Sequence, residues 1–174
     1  MLRKTIAAAA LALTLLPGLA LADGPVNLAL VPSIQIVNEA ESVSVFRLAI
    51  WGRNVNMTGF DWTIASQNTG SFTGVQWSAL GMVDGDFTGW QGSWLAGITK
   101  GNMQGLQVGA YTHSGMGSSG VQFGIFNTTD DFSGLQLGIV NIAENMRSGL
   151  QIGLVNIIKS KAKLKLFPIV NWSF

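Results

Sequence analysis

The sequence predicts an all-β repeat protein of about nine 15-residue units, with a β-solenoid favoured and a small outer-membrane β-barrel as the alternative. Three observations support this prediction. Glycines recur at a short fixed spacing, one position of the repeat holds Gln in six successive units, and apolar residues alternate with small or polar ones within each unit. The segment SGLQLGIVNIAENMRSGLQIGLVN, residues 133–156, contains all three features in two adjacent copies.

The units are defined by the position equivalent to Gly134. Successive units lie 14 to 16 residues apart, a spacing typical of stacked architectures. A Gly at this position suits a corner where φ is positive or where two backbones approach closely. The unit starts are Ser44, Gly59, Gly74, Gly89, Gly105, Gly120, Gly134, Gly149 and Leu164. We therefore assign residues 44–174 to the repeat domain and residues 23–43 to a lead-in or degenerate first repeat.

Each unit reads small, apolar, Gln, apolar, small, apolar. This period of two predicts a short β-strand with one apolar face and one small or polar face. In two early units Phe46 and Asp61 stand at the Gln position, and in the later units an Asn follows the strand. The residues predicted to form polar ladders are Gln76, Gln91, Gln107, Gln122, Gln136 and Gln151, and Asn127, Asn141, Asn156 and Asn171. An apolar anchor recurs two positions before the next Gly, at Met57, Phe72, Phe87, Met103 and Phe132.

In a β-solenoid the units stack, so that each column of the repeat becomes a ladder of similar side chains. We expect the apolar columns inside and the Gln and Asn amides paired along the axis. Trp62 and Trp77 share an apolar column with Leu137 and Ile152. We therefore expect both Trp side chains in a core that changes from aromatic to aliphatic along the stack.

The barrel alternative rests mainly on the C-terminus. Trp172, Val170 and Pro168 alternate before the terminal Phe174, a pattern similar to the assembly signal of outer-membrane barrels. The six Trp residues would then serve as interfacial anchors. Against the barrel, the alternating part of each unit has only about seven residues, whereas a spanning strand needs about 9–11. Antiparallel neighbours also give no reason for one Gln column to persist in every strand.

The N-terminus has the pattern of a secretory signal peptide over residues 1–22. Arg3 and Lys4 precede an apolar stretch, and Ala20-Leu21-Ala22 provides a cleavage signal of small residues. We expect an exported protein that lacks residues 1–22. It would carry eight basic and nine acidic residues, for a net charge of −1.

Four lysines alternate near the C-terminus: Lys159, Lys161, Lys163 and Lys165. On an extended strand they would share one face. One interpretation is a charged cap strand that prevents end-to-end stacking of solenoids. The other is a basic strip that contacts anionic lipid or lipopolysaccharide phosphates.

No enzymatic site is predicted. Cys is absent, His113 is the only His, and no nucleophile, base and orienting group fall at matching columns. Asp84 and Asp86 are the nearest approach to a metal motif, but a Ca²⁺ loop needs further oxygen ligands, and an Asp-Gly turn accounts for them. We therefore expect no catalytic residue, no cofactor and no metal. The net charge of −1 in an exported protein argues against nucleic acid as a partner.

The copies GVQFGIFN, GLQLGIVN and GLQIGLVN, followed by LFPIVNWSF, resemble a family of exported Gram-negative bacterial proteins with surface repeats of the GVQ/GLQIGLVN type. The resemblance covers most of residues 23–174 and is strongest from Gly105 onward. It implies the periplasm, outer membrane or cell surface and no particular activity. We therefore expect a non-enzymatic scaffold of the cell envelope, whose partner is the outer membrane, lipopolysaccharide or another envelope protein. The alternative is a small integral outer-membrane barrel acting as a channel or anchor.

Overall fold

The computed structural model describes residues 24–174, and the expected signal peptide lies outside the described residues. Over these residues the regular structure consists of β-strands alone. The strands are β1 Gly24–Val31, β2 Ile34–Gln35, β3 Val43–Asn54, β4 Met57–Asn68, β5 Phe72–Val83, β6 Phe87–Thr99, β7 Met103–Ser114, β8 Ser118–Ile158 and β9 Leu166–Ser173.

The strands from β3 to β8 pair in parallel, and each pairs with the strand one repeat further along the chain. Gly59 lies beside Gly74, and Gln76 lies beside Gln91. The chain therefore winds into a β-solenoid of about seven turns, as the repeat predicts. β8 runs without a break through the last turns. The antiparallel barrel alternative is wrong, because neighbouring units here run in the same direction.

Each turn bends so that it has three sides. In the turn of residues 57–71 the buried, inward positions are Met57, Asp61, Thr63, Ser66 and Asn68. A corner lies where consecutive inward positions are three or four residues apart instead of two, once near residue 59 and once near residues 64–65. The third corner is the connecting turn of residues 69–71.

These three sides are named here by the residues of the same turn. Face A presents the outward positions equivalent to Phe60, Trp62 and Ile64. Face B presents the outward positions equivalent to Ala65 and Gln67. The polar edge is formed by the connecting turns, equivalent to residues 69–71, and by the positions equivalent to Thr58.

The corner between the polar edge and face A depends on Gly. Gly74 has a φ of 132°, a conformation that strains any residue with a Cβ. A Cβ at Gly74 would also overlap the carbonyl oxygen of Gly59 in the turn below. The Gly at the start of each unit is therefore required both by the backbone angle and by the close approach of successive turns.

The apolar core is a narrow strip beneath the polar edge. It contains the predicted anchors Met57, Phe72, Phe87 and Met103, all at most 1% exposed. The rings of Phe72 and Phe87 stack in parallel with centroids 4.9 Å apart. Phe132 belongs to a second cluster at the C-terminal end of the strip. The rest of the interior is polar.

The apolar columns of faces A and B point outward, so the expectation that they fill the core is wrong. Trp62 is 55% exposed and Trp94 is 63% exposed, whereas the Gln column between the outward columns is fully buried. Trp77 is half-buried, and neither it nor Trp62 belongs to the core. The alternation with a period of two is present in the structure, but the polar face of each strand lines the interior.

Both ends of the repeat differ from the sequence-based units. Phe46 pairs with Phe60 and Arg47 with Asp61, so the first unit is shifted by one residue and Arg47, not Phe46, stands at the Gln position. At the other end Leu164 does not start another parallel turn. β9 is antiparallel to the last part of β8 and pairs Trp172 with Leu150. Residues 23–43 also include β1, which is parallel to β3 and adds a further layer.

Candidate functional site: the polar interior and the outward apolar faces

The six Gln side chains form one continuous buried ladder. From Gln91 onward, each Nε2 donates to the Oε1 of the Gln in the preceding turn, at 2.8 Å for Gln91 to Gln76 and 2.6 Å for Gln136 to Gln122. The second N–H meets a backbone carbonyl in several turns, as in Gln122 to Thr128 O at 3.1 Å. Because the amides are satisfied by one another, burying them carries no large desolvation cost.

The Asn column forms a second ladder that runs in the opposite direction. Asn127 Nδ2 donates to Asn141 Oδ1 at 2.8 Å, and Asn141 Nδ2 donates to Asn156 Oδ1 at 2.7 Å. Donors therefore point toward the C-terminal end in this ladder and toward the N-terminal end in the Gln ladder. Asn171 does not continue this ladder of side-chain hydrogen bonds. Its Nδ2 donates instead to the backbone carbonyls of Asn156 and Lys165.

The interior is too narrow for large apolar side chains beside these ladders. The column that faces the amides holds only Ala, Thr, Ser or Gly. A Cβ at Gly138 would overlap the carbonyl oxygen of Gly124 and the amide of Asn127. Close packing of successive turns therefore excludes large apolar side chains from this column, and the Trp, Leu and Ile of the neighbouring columns point outward.

A buried ion pair closes the N-terminal end of the Gln ladder. Arg47 donates from Nε and Nη2 to the two carboxylate oxygens of Asp61, at 2.9 and 2.7 Å, and both side chains have no exposed surface. Ser66 Oγ accepts from Arg47 at 2.6 Å and donates to Asp61 at 2.6 Å. Gln76 Nε2 donates to Ser66 Oγ at 2.7 Å and to Asp61 at 3.4 Å, so the donor end of the ladder points at the carboxylate.

The sequence-based alignment of the units did not predict this network, because it placed the first unit one residue early. A shift to a 14-residue spacing, which also separates Gly120 from Gly134, aligns Arg47 with Asp61. Opposite charges in one column would then have predicted an ion pair. At the far end of the ladder, Gln151 Oε1 is buried without a hydrogen-bond partner. The ladder thus ends abruptly there, whereas it is anchored by charge at Asp61.

The four lysines do not lie on one face of an extended strand, so that expectation is wrong. Residues 159–165 form turns between β8 and β9. Lys159 pairs with Glu144 at 2.6 Å. Lys161 Nζ donates to Trp172 O at 2.7 Å and to Asn171 Oδ1 at 2.9 Å, and lies 5.4 Å from the centre of the Trp172 ring. Lys163 and Lys165 have exposed side chains.

Face A is a continuous apolar surface of the described chain. Its three outward columns continue from Leu28 in β1 to Trp172 in β9, without a charged residue in any layer. Successive strands lie about 4.8 Å apart and residues along a strand about 3.3 Å apart. Face A therefore measures about 43 Å along the solenoid axis and about 13 Å across it, or roughly 600 Å² in projection. The largest apolar patch of a typical monomer is about 300–600 Å².

A shallow groove crosses the middle of face A. It arises at Gly92, the one position in the central column that has no side chain. The Trp77 ring lies against Gly92 and meets the rings of Trp90 and Trp94 edge to face, with centroids 5.4 and 6.2 Å apart. The groove has a volume of about 580 Å³ and continues past Phe123. Its lining is almost entirely apolar.

Face B meets face A along one corner. Its column next to that corner contains Trp51, Leu80 and Phe126, which are 45%, 44% and 50% exposed. Its second column is mixed and includes Met82 and His113. Faces A and B together form an apolar surface that wraps around two of the three sides of the solenoid.

Apart from Arg53, the exposed charged residues of the described chain lie on the remaining side, in the loop before β3 and in the turn after β8. On the polar edge Lys100 pairs with Asp84 at 2.7 Å, and Arg147 pairs with Asp131 at 3.0 Å. Arg53 starts on face B and reaches the edge through Glu39, 3.7 Å away. Arg53 is the only charged residue among the described outward columns of faces A and B, and the pair Arg47–Asp61 lies in the interior.

The candidate metal residues Asp84 and Asp86 sit in the connecting turns, whereas the only His, His113, lies on face B. Asp86 accepts from the backbone N–H of Asn102 at 2.8 Å, and Asp84 is held by Lys100, so both carboxylates serve the connecting turns. His113 Nδ1 lies 3.1 Å from Thr128 Oγ1. Among residues 24–174, no group of three or more His, Cys, Asp or Glu is placed to hold a metal ion.

No helix in the described part of the chain has the length and apolarity needed to cross a bilayer. No protein-family model, curated protein or solved structure matches the chain. The candidate site is therefore defined by geometry alone: an outward apolar surface built on a hydrogen-bonded polar interior.

Proposed function

We propose that this chain is a non-enzymatic, exported protein of the Gram-negative cell envelope that acts as an interaction scaffold, with faces A and B as its interaction surface. One observation carries the proposal. Amide ladders occupy much of the solenoid's interior, and most of its large apolar side chains point outward. Water-exposed apolar surface of this extent is unfavourable, and its burial against a partner supplies the free energy of association.

The scaffold is rigid for the same reason. Parallel backbone pairing and two side-chain ladders fix the spacing of successive turns, so the outward columns keep a regular geometry along the whole axis. A rigid surface loses little conformational entropy on binding. The exposed lysines Lys163 and Lys165 provide a contact for anionic groups at the C-terminal end.

Two exposed residues of face A provide the test. Ile125 and Ile139 are neighbours in one column and are 46% and 49% exposed, so Lys at both positions adds charge to the surface without entering the interior. We expect the double variant Ile125→Lys/Ile139→Lys to be lost from the envelope fraction of a Gram-negative host. The matched control Met116→Lys, on the polar edge and 74% exposed, is expected to stay.

Circular dichroism of both purified variants shows whether the fold is retained. Recovery of the folded double variant in the envelope fraction, at the level of the unmodified protein, contradicts the proposed surface. Recovery of the unmodified protein in the cytoplasm contradicts export itself.

A further inference from the structure

We propose that the partner of faces A and B is a lipid bilayer, in which the solenoid lies flat with its axis parallel to the membrane plane and its polar edge toward water. This inference rests on the proposed function and names the occupant of the same surface. The chain would then be held at the interface by apolar side chains on two sides of a β-structure, without a spanning segment.

The first reason is the shape of the apolar surface. Faces A and B meet at a corner, where Leu95 is 60% exposed. A flat partner covers only one of them. A second copy docked through face A would bury roughly 600 Å² of projected surface and leave Trp51, Leu80 and Phe126 of face B in water. A fluid acyl phase covers both faces at once.

The second reason is the distribution of charge. The described ion pairs at the surface lie on the polar edge or at the turn after β8, except for Arg53–Glu39, which joins the N-terminal end of face B to the loop before β3. This leaves one side for headgroups and water and two sides for acyl chains. Protein interfaces usually surround an apolar centre with a polar rim on every side. Here the apolar columns continue to both ends of the stack, which is the distribution that an interfacial layer requires.

The third reason is the backbone. On faces A and B the parallel ladders satisfy the backbone N–H and C=O groups between successive turns, as in the pairs of β4 with β5 and β5 with β6. A surface immersed in acyl chains requires this, because no water is available to replace a missing hydrogen bond. Most inward amides are likewise satisfied by the ladders, and Gln151 Oε1 and Asn68 Oδ1 are exceptions.

The test uses single cysteines, because the chain has none of its own. Ile64→Cys places a thiol on face A, Leu80→Cys on face B and Met116→Cys on the polar edge, at sites 60%, 44% and 74% exposed. Each variant is labelled with an environment-sensitive fluorophore. It is then mixed with vesicles of phosphatidylethanolamine and phosphatidylglycerol whose acyl chains are brominated, or with unbrominated vesicles of the same headgroups.

We expect brominated chains to reduce the emission of the labels at positions 64 and 80 at least twofold and to leave the label at position 116 unchanged. Quenching at position 64 alone overturns the flat, two-sided immersion. Quenching at none of the three positions, or equally at all three, overturns the bilayer as the partner. Circular dichroism is recorded before and after labelling, and only variants that remain folded are interpreted.

Two further readouts separate this inference from the proposed function. Sedimentation without lipid shows whether a second copy covers face A. Water accessibility of the same labels in native envelopes shows whether any partner covers the two faces. Labels that are protected in the envelope but not quenched by vesicles overturn the bilayer and leave the scaffold standing. Labels that remain water-accessible in both overturn both proposals.

Discussion

Replacement of Gln122 by Leu tests whether the Gln ladder holds the solenoid together. Gln122 lies near the middle of the ladder, where its Nε2 donates to Gln107 Oε1 at 2.8 Å and its Oε1 accepts from Gln136 Nε2 at 2.6 Å. Leu has a similar volume but no polar atom, so Gln107 Oε1 and Gln136 Nε2 lose their ladder partners inside the structure. Each orphaned buried group costs about 1–3 kcal/mol, so we expect a loss of about 2–6 kcal/mol in the free energy of unfolding.

Two matched variants isolate the effect of the ladder. Gln151→Leu, at the end of the ladder, orphans Gln136 Oε1 but also removes an Oε1 that already lacks a partner, so we expect a loss of at most about 2 kcal/mol. Gln104→Leu changes an exposed Gln outside the ladder and should alter stability by about 0.5 kcal/mol or less.

Urea unfolding is monitored by tryptophan fluorescence, with all variants in the same detergent. A double variant, Gln107→Leu/Gln122→Leu, adds a direct test of coupling. It should lose less than the sum of its two single variants, because the orphaned oxygen of Gln107 no longer exists. If Gln122→Leu is no less stable than Gln104→Leu, the ladder does not contribute as we infer.

Three further predictions follow from the interior and from the C-terminal turn. Arg47→Met leaves the Asp61 carboxylate buried without its cation, so we expect urea unfolding to show a loss of about 3–5 kcal/mol. Gly138→Ala forces a Cβ against the turn below and should cost about 1–3 kcal/mol in the same assay. Lys161→Ala removes two hydrogen bonds to β9, so amide exchange in residues 166–173 should accelerate, whereas Lys163→Ala should leave it unchanged.

Each of these has a result that contradicts it. For the ion pair, the double variant Arg47→Met/Asp61→Leu should recover part of the stability lost by the single variant, and a further loss contradicts the uncompensated charge as the cause. For Gly138, an unchanged midpoint shows that the turns separate without cost. Equal exchange in β9 for the Lys161 and Lys163 variants shows that Lys161 does not hold that strand.

Most of the fold could be predicted because the repeat period fixes strand positions and neighbours. The Gly spacing placed Gly59 to Gly149 at equivalent corners, and the Gln column identified which residues lie one above another. The errors occur where the repeat is imperfect. One missing residue in the first unit shifts Arg47 out of its column, and the alternating Lys residues predict a strand where the chain turns.

The direction in which each column points was the larger error, and it decides the candidate site. Apolar columns were expected inside because apolar residues are usually buried. That preference does not hold at Gly138 and its equivalents, because successive turns approach too closely there for a large side chain. The Gln and Asn amides then compensate one another along the axis, which removes most of the cost of a polar interior.

The sequence by itself determined the period, the strands, the columns and the partners within each ladder. It did so because parallel stacking brings residues one repeat apart into contact whichever side they face. Only the tertiary structure decided which side became the interior. A strand with alternating faces has the same pattern when it is turned over, and the choice between the two depends on how narrow the closed turn is and on whether the enclosed amides find partners.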